Sequence, residues 1–356
     1  MFLVPTIPNS PLSAPTAPDT QGEMRLRRNR NLDFIENAAF DPTLAEYDDN
    51  YQNSQAYSEA FQAHMSVVLR TLERAFPAGA TLVEVGCGKG DFVELAQASG
   101  HFKVSGYDAT YEGTNPAIEK RYLDADDRIK ADLVVLRHVL EHVRAPHKFL
   151  AMLKEVFSEA KAYIEVPSWD WIAENKAFFD ITYEHVNYFS RNSLRALFDG
   201  EVEAGLCFND QYQYVVADIS KVAPSFEEAY CNGEWVHLAF ADLFPSVPAK
   251  IAEIESHLQP ESNLYIWGAA TKGCMFLVHC SNQRRLVDRV GFAVDVNPQK
   301  CGKYLPGSHV AIRAPADFFA AARDGDVLLV SNPNYQAEIK REIARHGVQG
   351  VEVLCL

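Results

Sequence analysis

From Ser58 to Ala75 apolar residues recur at helical spacing. Phe61, Met65, Val68, Leu69 and Leu72 share one face, which predicts an amphipathic helix. After Thr81 the pattern changes to short apolar runs separated by more polar stretches. The runs 81–85, 103–107, 132–137 and 161–166 predict strands, with helices centred on 91–99, 115–120 and 146–158. Such alternation builds a parallel sheet. Ser193 to Phe198 reads as a further helix, and Glu203 to Ser220 as an antiparallel pair closing the sheet edge. Phe226 to Leu258 has a largely helical pattern. A second series begins at Asn263, with strands over 263–267, 290–295, 326–330 and 351–355 and a helix from 271. Residues 1–45 are proline-rich and poorly periodic. They are expected to form an extended arm lying on the main domain, the plainer alternative being disorder of the first twenty. The expected fold class is α/β, with a Rossmann-like domain over 46–222, a helical connector over 223–261 and a second Rossmann-like domain over 262–356. The 356 residues suffice for two domains with proper cores.

Charge and cysteine usage narrow the partners. With 48 acidic against 33 basic residues, a nucleic-acid surface is disfavoured, and the basic run Arg25 to Arg30 is expected to be a solvated loop. The seven cysteines are scattered and contain no C-x-x-C pair. That argues against a disulfide framework or zinc ribbon and points to a reducing cytoplasm. Met1 to Pro18 lacks a basic start and is broken by Pro5, Pro8, Pro11, Pro15 and Pro18, so it is not expected to be a signal peptide. No run is long enough to span a bilayer.

The chemistry concentrates in a few segments. Val83-Glu84-Val85-Gly86-Cys87-Gly88-Lys89-Gly90-Asp91 is a strand, a glycine turn and a helix start, and the next strand ends in Asp108. Its spacing is G-x-G-x-G, and Asp91 would place a negative charge where a dinucleotide rests its pyrophosphate. Asp108 is placed to accept hydrogen bonds from ribose hydroxyls, and Glu84 favours a cationic ligand. S-adenosylmethionine meets both requirements. The strand 132–137 runs out into Arg137-His138-Val-Leu-Glu141-His142, at the carboxyl end where open α/β sheets bind ligands. His138 and His142 could share a helical face and ligate a metal, but a third ligand is not evident, so no metal is expected. Phe178 to Ser190 gathers ionisable and aromatic groups. Here His185 is the candidate general base, Tyr183 a donor to a substrate oxygen or developing oxyanion, and Glu184 a group that orients His185 or holds substrate. The turn Ile266 to Cys274 is not a Walker loop. With Lys272 and Asp295 it either holds an anionic part of the substrate or is a plain structural turn.

These segments together resemble class I S-adenosylmethionine-dependent methyltransferases carrying the C-terminal domain first described in sugar C-methyltransferases. The likeness covers residues 34 to 356. Besides the motifs above it rests on Asn37-Ala-Ala-Phe40-Asp41-Pro42, Tyr47, Tyr51-Gln-Asn53-Ser54-Gln55, Tyr188-Phe189, Asp295 to Gly307, and Asn332-Pro333-Asn334-Tyr335 with Glu338-Ile339. The resemblance implies donor binding by Glu84, Gly86, Gly88 and Asp108, joined by Arg137 and His138, with Tyr51 to Gln55 as a lid that brings Tyr51 and Ser54 to the donor. It implies an acceptor between the two domains, contacted by His142, Tyr188, Lys272, Asn332 and Tyr335, and His185 as base. Two features depart from the family. Asn29-Arg-Asn-Leu32 stands where the family's zinc module has C-x-x-C, so the arm is expected to be a remnant without zinc. Thr182-Tyr183-Glu184-His185 replaces the Tyr-His-Glu-His of the sugar enzymes. The expected function is methyl transfer to a small polar metabolite of secondary metabolism, such as a carbon of a keto-deoxysugar nucleotide or a natural-product intermediate. The alternatives are an O- or N-methyltransferase of a non-sugar metabolite and a non-catalytic S-adenosylmethionine- or nucleotide-binding module. The expected partner is a small-molecule substrate, with neither nucleic acid nor membrane, for a monomer or homodimer in the cytoplasm.

Overall fold

The apolar runs of the first half bury almost completely, with Leu82, Val83, Leu133 to Leu136 and Ile164 at 0% exposure. In the computed structural model, which describes residues 2–45, 47–48, 50–283 and 285–356, these runs form a seven-stranded sheet. Its order is Glu203–Cys207, Tyr212–Asp218, Lys161–Pro167, Leu133–Arg137, Thr81–Val85, Lys103–Tyr107 and Ile118–Glu119. The last five strands run parallel and the first two close the edge antiparallel. One face packs on the helix Glu59–Ala75 through Phe61, Met65, Leu69 and Leu72. The other packs on Pro146–Phe157 through Leu150, Leu153 and Phe157. Thr81–Val85 pairs with Lys103–Tyr107 on one side and Leu133–Arg137 on the other, so the strand order reverses at its carboxyl end. A crevice opens at such a point.

The helix expected over 115–120 does not form. Pro116 lacks a backbone donor, and Asn115 folds the chain locally by accepting from the Ala117 N–H through its side chain. Ile118–Glu119 instead extends the sheet edge against Gly106 and Tyr107.

The N-terminal expectation is also corrected. Leu3–Pro5 pairs with Gln21–Glu23, and Val4 is fully buried. Leu26–Asn29 and Phe34–Asn37 join Asn187–Phe189 and Trp235–His237 in a four-stranded antiparallel sheet. The basic run is therefore largely strand. Arg27 pairs with Glu36 and lies over Trp235, and Arg28 pairs with Asp33. Two of the four strands come from much later in the chain, so no local period announces the sheet. The connector supplies Trp235–His237 between the helices Pro224–Asn232 and Phe240–Leu243, with Val247–Ser256 following.

The C-terminal unit is a five-stranded parallel sheet ordered Ile312–Arg313, Val290–Val294, Leu264–Trp267, Val327–Val330 and Glu352–Cys355. The N-terminal segment reaches it. Leu12 bridges Tyr304, and the Asp19 carboxylate accepts from the Gly307 N–H at 2.7 Å. Position 46, the expected start of the first domain, lies outside the described residues. Among the described residues no helix is long and apolar enough to cross a membrane.

Candidate active site

The carboxyl ends of the central strands, the 51–58 segment, the 180–185 loop and the C-terminal unit enclose one cavity of about 530 Å³. Its first wall is the glycine turn. Gly86 and Gly88 hold φ of 74° and 55°, and a side-chain carbon at Gly86 would meet Val139 at 2.5 Å. Asp108 Oδ2 accepts from the Gly88 N–H at 2.7 Å, and Oδ1 accepts from the Thr110 N–H and hydroxyl at 2.7 and 2.8 Å. Glu84 is 3% exposed, with Oε2 unpartnered and Oε1 4.0 Å from Arg137. Burial pushes its carboxyl up to about 7, with Arg137 opposing. A carboxyl so poised, on a residue that contributes to the cavity lining and with one oxygen unpartnered, suits a ligand bearing a positive charge. The Asp108 carboxylate beside the turn suits vicinal hydroxyls. Both fit S-adenosylmethionine.

Arg137 and His138, which also line the cavity, are tied together by Glu165, which is fully buried. Glu165 Oε1 lies 3.5 Å from Arg137, 3.2 Å from His138 Nε2 and 3.0 Å from His64, and Oε2 accepts from the Tyr163 hydroxyl at 2.8 Å. His138 Nε2 makes this contact without hydrogen-bond alignment, while its Nδ1 is 3.3 Å from Glu141. Burial opposes charge on His138, but the two carboxylates outweigh it and raise the imidazole to about 9.

The 51–58 segment forms the roof. Ser54 Oγ donates to Asp91 at 2.7 Å, the Asn53 amide comes within 3.8 Å of where a Gly88 side chain would begin, and the Tyr51 hydroxyl donates to Glu184 at 3.1 Å. Glu184 also meets the Thr271 hydroxyl at 3.5 Å. Its carboxyl is raised, by burial first, with His142 opposing. The Glu184 carboxylate is thus engaged with Tyr51 and Thr271, not with His185, whose Nδ1 is buried without a hydrogen-bond partner. Instead the His185 ring meets the His142 and Tyr188 rings edge-on, at 4.9 and 6.3 Å. Burial, then the cationic surroundings of His142, His138 and Lys272, hold His185 well below the ordinary imidazole range. It is therefore neutral at pH 7.

Two expected contacts lie elsewhere. Tyr183 is fully buried away from the cavity lining. It accepts from the Asp41 N–H at 2.7 Å and donates to the Asp41 carbonyl at 3.3 Å. Tyr188 accepts from the Thr182 N–H at 3.0 Å and donates to its carbonyl at 2.9 Å, again outside the lining. Both phenols are consumed in shaping the loop that presents Glu184 and His185.

His142, Lys272, Asn332 and Tyr335 do line the cavity. His142 Nδ1 is 2.9 Å from the Tyr47 hydroxyl and 3.0 Å from the Glu184 carbonyl. Lys272 pairs with Asp180. Asn332 accepts from Gln211 at 2.9 Å, and Tyr335 donates to Gln55. The sequence reading missed Asn9 and Gln211, and quoted Glu141 and Glu338 without giving them a site role; all four line the cavity. Asn9 donates to the Thr271 hydroxyl at 2.9 Å from a segment with no periodicity to reveal it. Glu141 was visible as an acid in the His138 to His142 run.

His138 and His142, weighed above as a metal pair, do not share a face, because His138, at φ 56°, turns toward Glu165. Among the described residues two other trios bring ligand atoms within 4.8 Å, Glu141/His142/His185 and His64/Glu165/Cys207. Glu141 already faces the His138 cation, and Glu165 already serves Arg137.

A family model described as a methyltransferase domain matches residues 57–201, and one described as a C-methyltransferase C-terminal domain matches 227–355. The C-methyltransferase NovU of Streptomyces niveus is 28% identical over 230 residues, covering 59% of this chain and 53% of that protein. The chain thus spans about half the length of this curated relative. Among solved structures, magnesium protoporphyrin IX methyltransferase from Synechocystis PCC 6803 is 16% identical, covering 45% of this chain and 83% of its own, with a TM-score of 0.34. An S-adenosylmethionine-dependent methyltransferase from Archaeoglobus fulgidus is 17% identical, covering 46% and 98%, at the same score. Its two halves are thus similar, in order, to a methyltransferase domain and to a C-methyltransferase C-terminal domain.

Proposed function

We propose that this protein methylates a carbon beside a ketone in a small polar acceptor, such as a keto-deoxysugar nucleotide, bound between a donor domain over 46–222 and an acceptor domain over 262–356, with 223–261 connecting them. The observation that carries this reading is a cavity whose lining includes Glu84, Gly86, Gly88 and Asp108 together with His185 and with Lys272 and Thr271 of the C-terminal unit. The relative bearing the name C-methyltransferase supports carbon as the acceptor atom. When bound, S-adenosylmethionine supplies an electrophilic methyl group. Asp108 would hold its ribose and Glu84 its cationic end, with Gly86 and Gly88 giving the backbone room and Tyr51 and Ser54 closing over it. Arg137 would hold Glu84, and His138, paired with Glu165 and Glu141, would stand on the cavity wall beside the donor. His185, neutral and on the cavity lining, would take the proton from the acceptor carbon. His142 and Lys272 would face the developing oxyanion, a role Tyr183 is not placed to fill.

The test is calorimetric titration with S-adenosylhomocysteine. Binding in the micromolar range is expected, and its loss in a folded Asp108→Ala variant. No binding to the folded wild type would overturn the reading. A pH series extends the test. Because Glu84 sits at about 7 and a cationic donor favours its ionised form, S-adenosylmethionine affinity will rise with pH. The rise will be up to roughly tenfold per unit below that value and will level off above it, with a proton released on binding. Titrations in buffers of different ionisation heat read that proton directly. A flat profile would remove Glu84 from the donor's charged end.

A further inference from the structure

The Asn332 to Glu338 run grips the other half of the molecule. Glu338 Oε2 accepts from the Ser58 hydroxyl at 2.8 Å and the Ala60 N–H at 3.1 Å, and Oε1 accepts from the Glu59 N–H at 3.3 Å. The helix Glu59–Ala75 of the methyltransferase half therefore takes part of its N-terminal cap from the C-terminal unit. Free amide donors and the positive end of the helix dipole make a carboxylate the natural occupant. Tyr335 donates to Gln55, three residues before that cap. Asn334 donates to the Phe208 carbonyl at 2.8 Å and accepts from Asn209 at 2.8 Å. The roof held by Glu338 and Tyr335 is the same stretch whose Ser54 bonds Asp91 and whose Tyr51 bonds Glu184.

We propose that Glu338 is a positioning residue for donor binding, acting through the 51–58 roof, so that approach of the C-terminal unit sets donor affinity. The inference rests on the reading above, in which the donor lies under that roof. The roof has no regular secondary structure of its own between Tyr51 and Gln55. It closes over the glycine turn because both ends are tied, one end by Asp91 and Glu184, the other by the C-terminal unit. An acceptor that draws the two halves together will therefore tighten the donor, and the donor will tighten the acceptor by the same factor.

Calorimetry with S-adenosylhomocysteine on wild type, Glu338→Ala, Ser58→Ala and the double variant tests this. Glu338→Ala is expected to weaken binding roughly tenfold, the scale of losing a helix cap. The double variant should be no weaker than the worse single one, because the two residues share one interaction. In turnover, the donor KM will rise more than kcat falls, a split that a loss of global stability would not produce. Tyr335→Phe, which deletes one hydroxyl, should weaken the donor in the same direction, and it carries the test alone if Glu338→Ala does not fold. Unchanged affinity in folded Glu338→Ala and Tyr335→Phe, or additive effects of Ser58→Ala and Glu338→Ala, would overturn the inference. Absence of binding to the wild type would instead remove the methyltransferase reading and the inference with it.

Discussion

Replacing His185 by alanine will lower kcat by roughly 10²- to 10⁴-fold, the range contributed by a positioned general base, while S-adenosylhomocysteine affinity stays within about twofold. Three properties of the wild-type side chain lead to this. It lies on the cavity wall. Its Nδ1 has no partner to satisfy. Burial and its cationic neighbours keep it neutral, and only a neutral imidazole can accept a proton. The sign of the pH dependence follows. Because the imidazole titrates well below its ordinary range, protonation of His185 will not inhibit turnover between roughly pH 6 and 7, where an unperturbed histidine would. Single-turnover kinetics with saturating donor separate the chemical step from binding. Unchanged turnover in a folded His185→Ala variant would end its assignment as base.

The second large effect is structural. Glu165→Ala will destabilise the fold by about 3–5 kcal/mol in urea unfolding, because it leaves Arg137 and the His138 cation buried with their common counter-charge gone. Arg137 would retain only Glu84, at 4.0 Å, and His138 only Glu141. The loss depends on pH in a defined direction. His138 is raised from 6.5 to about 9 in the folded protein. Its contribution is therefore fully present below about pH 6.5 and is lost as pH rises through about 9. The stability gap between wild type and Glu165→Ala should narrow over that interval without closing, since Arg137 stays charged. Replacing both Glu165 and Arg137 by apolar residues of similar size should cost less than Glu165→Ala alone, because the Arg137 charge is then removed rather than stranded, while His138 keeps Glu141. A Glu165→Ala protein as stable as wild type would show that the buried pairs contribute nothing net.

The sequence by itself determined what depends on neighbours along the chain. The runs 81–85, 103–107 and 161–166 became strands because short segments rich in apolar and β-branched side chains lose water by entering a sheet. The Gly86-Cys87-Gly88 turn was legible because φ values of 74° and 55° admit few residues besides glycine. The acids Glu84 and Asp108 stand at the ends of neighbouring strands for the same local reason. Only the tertiary structure decided what depends on partners remote in sequence. Leu26–Asn29, paired on one side with the nearby Phe34–Asn37, is covered on its other side by the remote Trp235–His237. The 115–120 segment became sheet edge because Gly106 offered pairing that a proline-broken helix could not match. A phenol or carboxyl group looks the same in sequence whether it faces a ligand or a backbone amide. Burial then selects the nearest donor or acceptor, since an unmatched polar group inside the protein costs about 1–3 kcal/mol. That selection assigned Tyr183 to Asp41, Glu184 to Tyr51 and Thr271, and Glu338 to the first turn of a helix in the other half of the molecule.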